Sequence, residues 1–499
     1  MLEFGIVLFY TIAIGFIFLF SLGQATLVYY YLKNKRKSAK NLPDKAVSAD
    51  YEWPNVTVQL PVYNELYVVN RLIDAVCALD YPKDKLQIQL LDDSNDETVQ
   101  MVSDKVNEYA KLGLNIKQIR RSDRIGYKAG ALNNGMDEAD GLIAIFDADF
   151  IPEPDFLKGT IPHFDNPKIG MVQTRWDHIN LDYSLLTKVQ GFGLDAHFSV
   201  EQQGRTTAGV FINFNGTAGV WRKKCIIDAG GWHYDTITED LDLSYRAQLK
   251  GWEFKFLKDF GTPAELPAQM NAVKSQQFRW TKGAVETAKK MLFVVWKADI
   301  GLKLKVFSTL HLLNSYVFLC IFATGVLSVP LLMIKNHNPI YELYFQYSSV
   351  FLISFLIMIM FYLVSLSSRK GSFKASFKEF SYLFPLFMSV SMGMSFHNTV
   401  AVIQGIRGKK TPFIRTPKMN VMKIGDTFKS NKYLSGSINA TTIIELGLAF
   451  YYLFGIYLGI KYHDYGLMPF HFMLFLGFGI ISYFSFRHSN IFSSKSNAA

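Results

Sequence analysis

The sequence predicts an α/β domain fused to an α-helical transmembrane bundle. Two observations carry this: apolar residues are segregated into long uncharged runs, and the stretch between the first two runs alternates strand and helix patterns. The 499 residues are 49% hydrophobic, 15% aromatic and only 19% charged. Soluble domains carry about 25% charged residues, so the apolar excess needs a destination. From Phe4 to Leu32 no residue is charged, and the same holds for Phe307–Ile334, Leu343–Ser368, Phe380–Ile406 and Tyr465–Phe486. Ile438–Ile460 contains a single charge, Glu445. About 20 apolar residues in a helix cross a bilayer, so each run is long enough. A wholly soluble enzyme, a disordered chain and a disulfide-rich secreted protein are excluded. The first run is too long for a cleaved signal peptide and begins with Glu3 rather than a basic stretch. Cys77, Cys225 and Cys320 form no metal or disulfide motif and read as small buried hydrophobes.

The net charge of +10 does not point to nucleic acid, because basic residues cluster beside the runs. Lys33, Lys35, Arg36, Lys37 and Lys40 follow the first, and Lys289, Lys290, Lys297, Lys303 and Lys305 precede the second. Arg407, Lys409, Lys410, Arg415 and Lys418 follow the fourth, and all of these read as orientation charge on cytoplasmic loops. Six crossings would put one basic loop outside. Phe380–Ile406 carries Ser389, Ser391, Ser395, His397, Asn398, Thr399 and Gln404, so it is the run expected to lie at the interface or against other helices. The expected divisions are 1–50 (first helix and basic connector), 51–300 (cytoplasmic catalytic domain), 301–487 (membrane and interfacial helices) and 488–499 (short tail).

Within the cytoplasmic region, Val56–Leu60 reads as a strand ended by Pro61. Leu66, Val69, Ile73, Val76 and Leu79 follow at helical spacing. Gln87–Leu91 is a second strand running into Asp92-Asp93-Ser94, and Val99, Val102, Val106, Tyr109 and Leu112 share the face of a second helix. Asn115–Arg120 reads as a third strand and Leu142–Phe146 as a fourth, ending at Asp147. Parallel strands with crossover helices present ligand groups at their carboxyl ends, and both acidic clusters sit there.

Asp147-Ala148-Asp149 offers two nearby carboxylates, a hard oxygen site for Mg²⁺ or Mn²⁺ shared with substrate phosphates. Asp92-Asp93 reads equally well as an N-capping turn. Thr238-Glu239-Asp240 opens a helix; its acids suit a first helical turn, or Asp240 is a general base. In Gln276-Gln277-Phe278-Arg279-Trp280, Arg and Gln suit phosphate oxygens and Trp a sugar face; a snorkelling interfacial helix accounts for single residues only.

The order DD, DxD, TED, QxxRW resembles the membrane-integrated, processive members of glycosyltransferase family 2, notably cellulose-synthase-like mannan and glucan synthases. The likeness extends to VTVQLPVYNE (56–65), QLLDDSNDET (89–98), FDADFIPEPDFL (146–157), FNGTAGVWR (214–222) and AGGW (229–232). It implies a GT-A (Rossmann-like) catalytic domain with a polymer channel. It further implies that Tyr63, Glu65, Asp92, Asp93, Lys128, Asp147, Gln276 and Arg279 bind the donor, and that Asp147 and Asp149 hold the metal. Asp240 would be the base, and Trp280, Asn215, Gly216 and Thr217 would meet the acceptor. A gating loop is expected near 407–430, with Phe413 and Thr416 matching an FxVT pattern in which Arg415 replaces the usual Val. The chain ends thirteen residues beyond the last run, so no appended regulatory domain is expected.

The resulting expectation is an inverting, processive β-glycosyltransferase in the plasma (cell inner) membrane that extends and exports a β-glycan. UDP-glucose is favoured as donor over GDP-mannose. Partners are the donor, the growing glycan, the lipid bilayer and export accessory proteins, with no nucleic acid. The competing readings are addition of one sugar to a lipid carrier, and a transporter or receptor with a degenerate domain.

Overall fold

A computed structural model describes residues 1–38, 50–411, 415–426, 431–433 and 440–488. Seven strands form one mixed sheet: β1 (Val56–Val62), β2 (Leu86–Asp92), β3 (Asn115–Ile119), β4 (Leu142–Ile145), β5 (Ile169–His178), β6 (Gly219–Arg222) and β7 (Glu253–Ala264). Their order is β3-β2-β1-β4-β6-β5-β7. The first four pair in parallel, as the alternation predicts, whereas β6 enters antiparallel between β4 and β5. The chain between β5 and β6 is largely helical, from Leu185 to Ala208, and β6 itself is four residues long. A strand that short shows no period in sequence.

Both faces of the sheet are covered, which is why its central strands read as unbroken apolar runs. Val56, Val58 and Leu60 of β1 pack on Val69, Leu72, Ile73 and Val76, the buried stripe of the helix Val69–Cys77. Ile143 and Ile145 of β4 face the other way, toward Phe214, Trp221, Trp232 and Leu243.

Among the described residues, five helices are long and apolar enough to cross a membrane: Leu2–Asn34, Tyr316–His337, Pro339–Lys370, Ala440–Lys461 and Met468–Arg487. The run Phe380–Ile406 differs from them, being divided between helices Phe373–Gly393 and Ser395–Arg407 with a 44° bend. The second run is interrupted near its start. Phe307–Ile334 is not one helix: it breaks after Leu312, and the apolar helix restarts at Tyr316. Asn314 and Ser315, weak helix formers, lie in the break.

The bend at Met394 follows a close crossing. A Cβ on Gly477 would lie 1.9 Å from the Ser389 carbonyl oxygen, and one on Gly393 would lie 2.4 Å from the Gly477 carbonyl carbon. Small residues let membrane helices approach to backbone contact. Gly477→Leu should therefore lower the unfolding temperature of the detergent-solubilised chain by about 2–10 °C, since overpacking costs about 1–3 kcal/mol. Gly479→Leu, where a Cβ meets no atom within 4 Å, should leave it nearly unchanged.

Candidate active site

The carboxyl ends of β1, β2 and β4 open into a cavity of about 200 Å³. Tyr63 follows β1, and the guanidinium of Arg124 lies 3.2 Å from the centre of its ring. The two aspartates after β2 diverge. Asp93 lines the cavity and is gripped by Arg121 through Nε at 2.9 Å and Nη2 at 2.5 Å. Asp92 is buried beneath, accepting from the Ser94 backbone N–H at 2.9 Å and from Gln118 Nε2 at 2.7 Å. Its carboxylate holds the turn and does not line the cavity.

Asp147 and Asp149 stand at the end of β4, each beside an ammonium. Lys128 Nζ lies 2.5 Å from Asp147 Oδ1 and donates to the Gly216 carbonyl at 2.8 Å. Burial works against that ammonium, but Asp147, Glu239 and Asp240 outweigh it and hold it above its ordinary value. The Asp147 backbone N–H donates to Thr217 Oγ1 at 2.9 Å, so Thr217 supports the DxD turn from below and does not line the cavity. Lys418 Nζ lies 2.5 Å from Asp149 Oδ2.

On the opposite wall, Asp240 sits in the first turn of the helix Glu239–Leu249. Burial, then the neighbouring Glu239, pushes its carboxyl up to about 7, and burial raises Glu239 as well. Asn215 and Gly216 close this side. The Asn215 amide is held at both ends: Nδ2 donates to His197 Nε2 at 2.9 Å, and Oδ1 accepts from Gln202 Nε2 at 2.8 Å.

The third wall is the helix Met270–Lys297, which presents Gln276, Arg279 and Trp280 to the cavity. It comes close because of Gly283: a Cβ there would lie 2.5 Å from Thr238 Cγ2. The Ile237 backbone N–H donates to Glu286 Oε2 at 3.0 Å, and Thr238 and Thr287 share a hydroxyl contact at 3.1 Å. These contacts fix the TED turn and the QxxRW helix to one another. At its other end the helix reaches the apolar bundle, where buried Lys274 pairs with buried Glu445 at 2.5 Å. Trp280 leans on Trp176, which also meets Phe150 and Phe198, making an aromatic wall.

Several cavity residues escaped the sequence reading. Arg415 and Lys418 were expected to be orientation charges; instead they face the site, Arg415 Nη1 lying 2.6 Å from Glu65 Oε2. Burial pushes the Glu65 carboxyl up to about 7 even though Arg415 and Lys418 pull it down. Thr416 lines the cavity and accepts from Arg279 Nη2 at 2.5 Å, while Phe413 lies outside the described residues. Arg124, Trp176, His178 and Glu239 also line it. Trp176 and His178 are two residues apart at the end of β5, a spacing that would have placed them on one face had that strand been identified.

Asp147 and Asp149 suit a divalent ion. Asp149 Oδ1 is buried without a hydrogen-bond partner, and hard cations take such oxygens. A second group, His233, Asp235 and Asp242, is spanned by Lys290 Nζ at 3.2, 2.8 and 2.9 Å, so an ammonium already serves it. Because Lys418 shares Asp149, Lys418→Ala should tighten Mn²⁺ binding roughly three- to tenfold in calorimetric titration, and Asp149→Asn should weaken it at least tenfold.

Residues 54–283 match the family described as glycosyltransferase like family 2. Glucomannan 4-beta-mannosyltransferase 1 of Oryza sativa subsp. japonica is 35% identical over 428 residues, covering 82% of this chain and 77% of that protein. Glucomannan 4-beta-mannosyltransferase 2 of Arabidopsis thaliana is 41% identical over 291 residues, covering 57% and 54%. Relatives matched at 40–47% identity are covered over about half their length, 46–55%. Among solved structures, a mannosyltransferase from Pyrobaculum calidifontis in complex with GDP-Man and Mn²⁺ superposes with a TM-score of 0.53 at 19% identity. That superposition covers 81% of this chain and all of that one, and the likeness is one of fold, GT-A.

Proposed function

The chain belongs to glycosyltransferase family 2, and from that premise we propose that it is an inverting, processive β-glycosyltransferase building a β-linked mannan or glucomannan from GDP-mannose. One observation carries the reading: acids at the strand ends, the TED turn and the QxxRW helix enclose a single cavity, and that helix is anchored in the apolar bundle. A transporter or receptor has no use for such a constellation. A single transfer to a lipid carrier has little use for an aromatic wall beside the reacting centre. The earlier preference for UDP-glucose finds no support among relatives named for mannose transfer.

In this reading Tyr63, Arg124 and Asp93 surround the donor's base, and Lys128, Gln276 and Arg279 take its diphosphate. A divalent cation held by Asp147 and Asp149 would neutralise charge on that diphosphate. Asp240 accepts the proton of an acceptor hydroxyl whose oxygen forms a bond to the anomeric carbon. The bond from that carbon to the diphosphate oxygen breaks, and its electron pair leaves with the nucleotide. Lys128 and Arg279 stabilise the departing charge. One inversion converts an α-linked donor into a β-linked product. Trp280 and Trp176 offer ring faces to the lengthened acceptor. Residues 51–300 form the catalytic domain on the cytoplasmic side of a cell membrane, 301–487 the path outward, and the segment around Thr416 a gate over the site.

Incubating the detergent-solubilised chain with Mn²⁺ and each of GDP-mannose, UDP-glucose and GDP-glucose, followed by product sizing and linkage analysis, tests this. GDP-mannose should yield polymer; a product bearing one sugar, or none from any donor, would overturn it. Asp240→Asn should lower kcat at least a thousandfold while nucleotide binding persists. Asp240 acts ionised and its carboxyl is raised to about 7, so kcat/KM should fall as pH drops below about 7. A profile flat from pH 5 to 8 contradicts that assignment.

A further inference from the structure

We propose that His178 is an acceptor-binding residue, presenting its ring to a sugar hydroxyl of the growing chain. The inference rests on the polysaccharide-synthase reading above. His178 ends β5, two residues after Trp176, so both side chains leave the same face of the strand. Both line the cavity, and Trp176 leans on Trp280.

The ring is held in one orientation. His178 Nε2 lies 3.1 Å from Asp195 Oδ1, and the His178 side chain is 2% exposed. Asp195 is itself fixed: Arg369 Nη1, in the last turn of the span ending at Lys370, lies 2.5 Å from its other oxygen. Burial opposes the Asp195 charge, but His178 and Arg369 prevail and keep its carboxyl below the usual range. An ionised carboxylate only accepts, so Nε2 of His178 must carry the hydrogen. Nδ1 is then the ring nitrogen not engaged by Asp195, on a ring that lines the cavity. A hydroxyl can exchange a hydrogen bond with such a nitrogen in either direction, and a sugar resting on the Trp176–Trp280 wall offers several. The strand end, the helix carrying Asp195 and the span carrying Arg369 thus combine to hold the ring in one orientation at the cavity.

The test uses the full chain in detergent with a β-1,4-mannotetraose probe. Titration of the oligosaccharide into wild type and His178→Ala should show roughly five- to twentyfold weaker binding in the variant, with GDP affinity within twofold of wild type. In steady state the KM for the oligosaccharide should rise by a similar factor. His178→Gln, which keeps a hydrogen-bonding group at that position, should recover most of the loss. Asp195→Asn, which loosens the anchor of the ring, should weaken oligosaccharide binding in the same direction. Equal oligosaccharide affinity in wild type and His178→Ala would overturn the proposal, as would a parallel loss of GDP affinity or no oligosaccharide binding by wild type. Polymer synthesis is read separately: wild type that binds mannotetraose through His178 yet makes no polymer defeats the synthase reading and not this contact.

Discussion

The arrangement of this protein follows from the crowding of carboxylates in one desolvated cleft. Glu65, Asp93, Asp147, Asp149, Glu239 and Asp240 all line a single cavity. Burying charge is costly, so each acid is matched by a cation, pushed toward neutrality or, in Glu65, both. Asp93 has Arg121, Asp147 has Lys128, Asp149 has Lys418, and Glu65 has Arg415. Glu239 and Asp240 have no such partner at contact distance among the described residues, and they are the two at the helix start whose carboxyls rise. The same electrostatics thereby separates acids suited to holding cations from one suited to taking a proton at neutral pH.

The cations come from distant parts of the chain, so local sequence could only partly reveal the site. The acids were legible because each follows an apolar strand or opens a helix, where side chains are aimed by the backbone. Lys128 and Arg279 were legible within recognisable phrases. Arg415 and Lys418 were not, because in sequence they look like the other basic residues beside apolar runs, and only the fold brings them against Glu65 and Asp149. Thr217 and Asp92 mark the reverse error: adjacent to cavity residues in sequence, each is turned beneath the turn it stabilises.

The fold shows a similar division. The parallel half of the sheet was readable because its strands are apolar runs separated by helices with a buried stripe. The antiparallel half was not. β6 has four residues, and β5 and β7 cross from buried to half-buried along their length, which blurs any period. The strand β5 was not assigned from sequence, and Trp176 and His178 were therefore given no role at the site. Residues at the membrane were legible as runs, while the break after Leu312 and the bend at Met394 depend on turn residues and on glycine contacts between helices.

The helix Met270–Lys297 touches both worlds: Gln276, Arg279 and Trp280 face the cavity, and Lys274 is locked to Glu445 in an apolar span. At about 1.5 Å per residue its 28 residues reach some ~42 Å. Such a rod belongs to neither half of the molecule. Cutting the chain between the sheet domain and the bundle would strand a buried ammonium on one piece and a buried carboxylate on the other. The sheet domain and the apolar bundle are consequently one unit, since no cut between them would leave that buried pair intact.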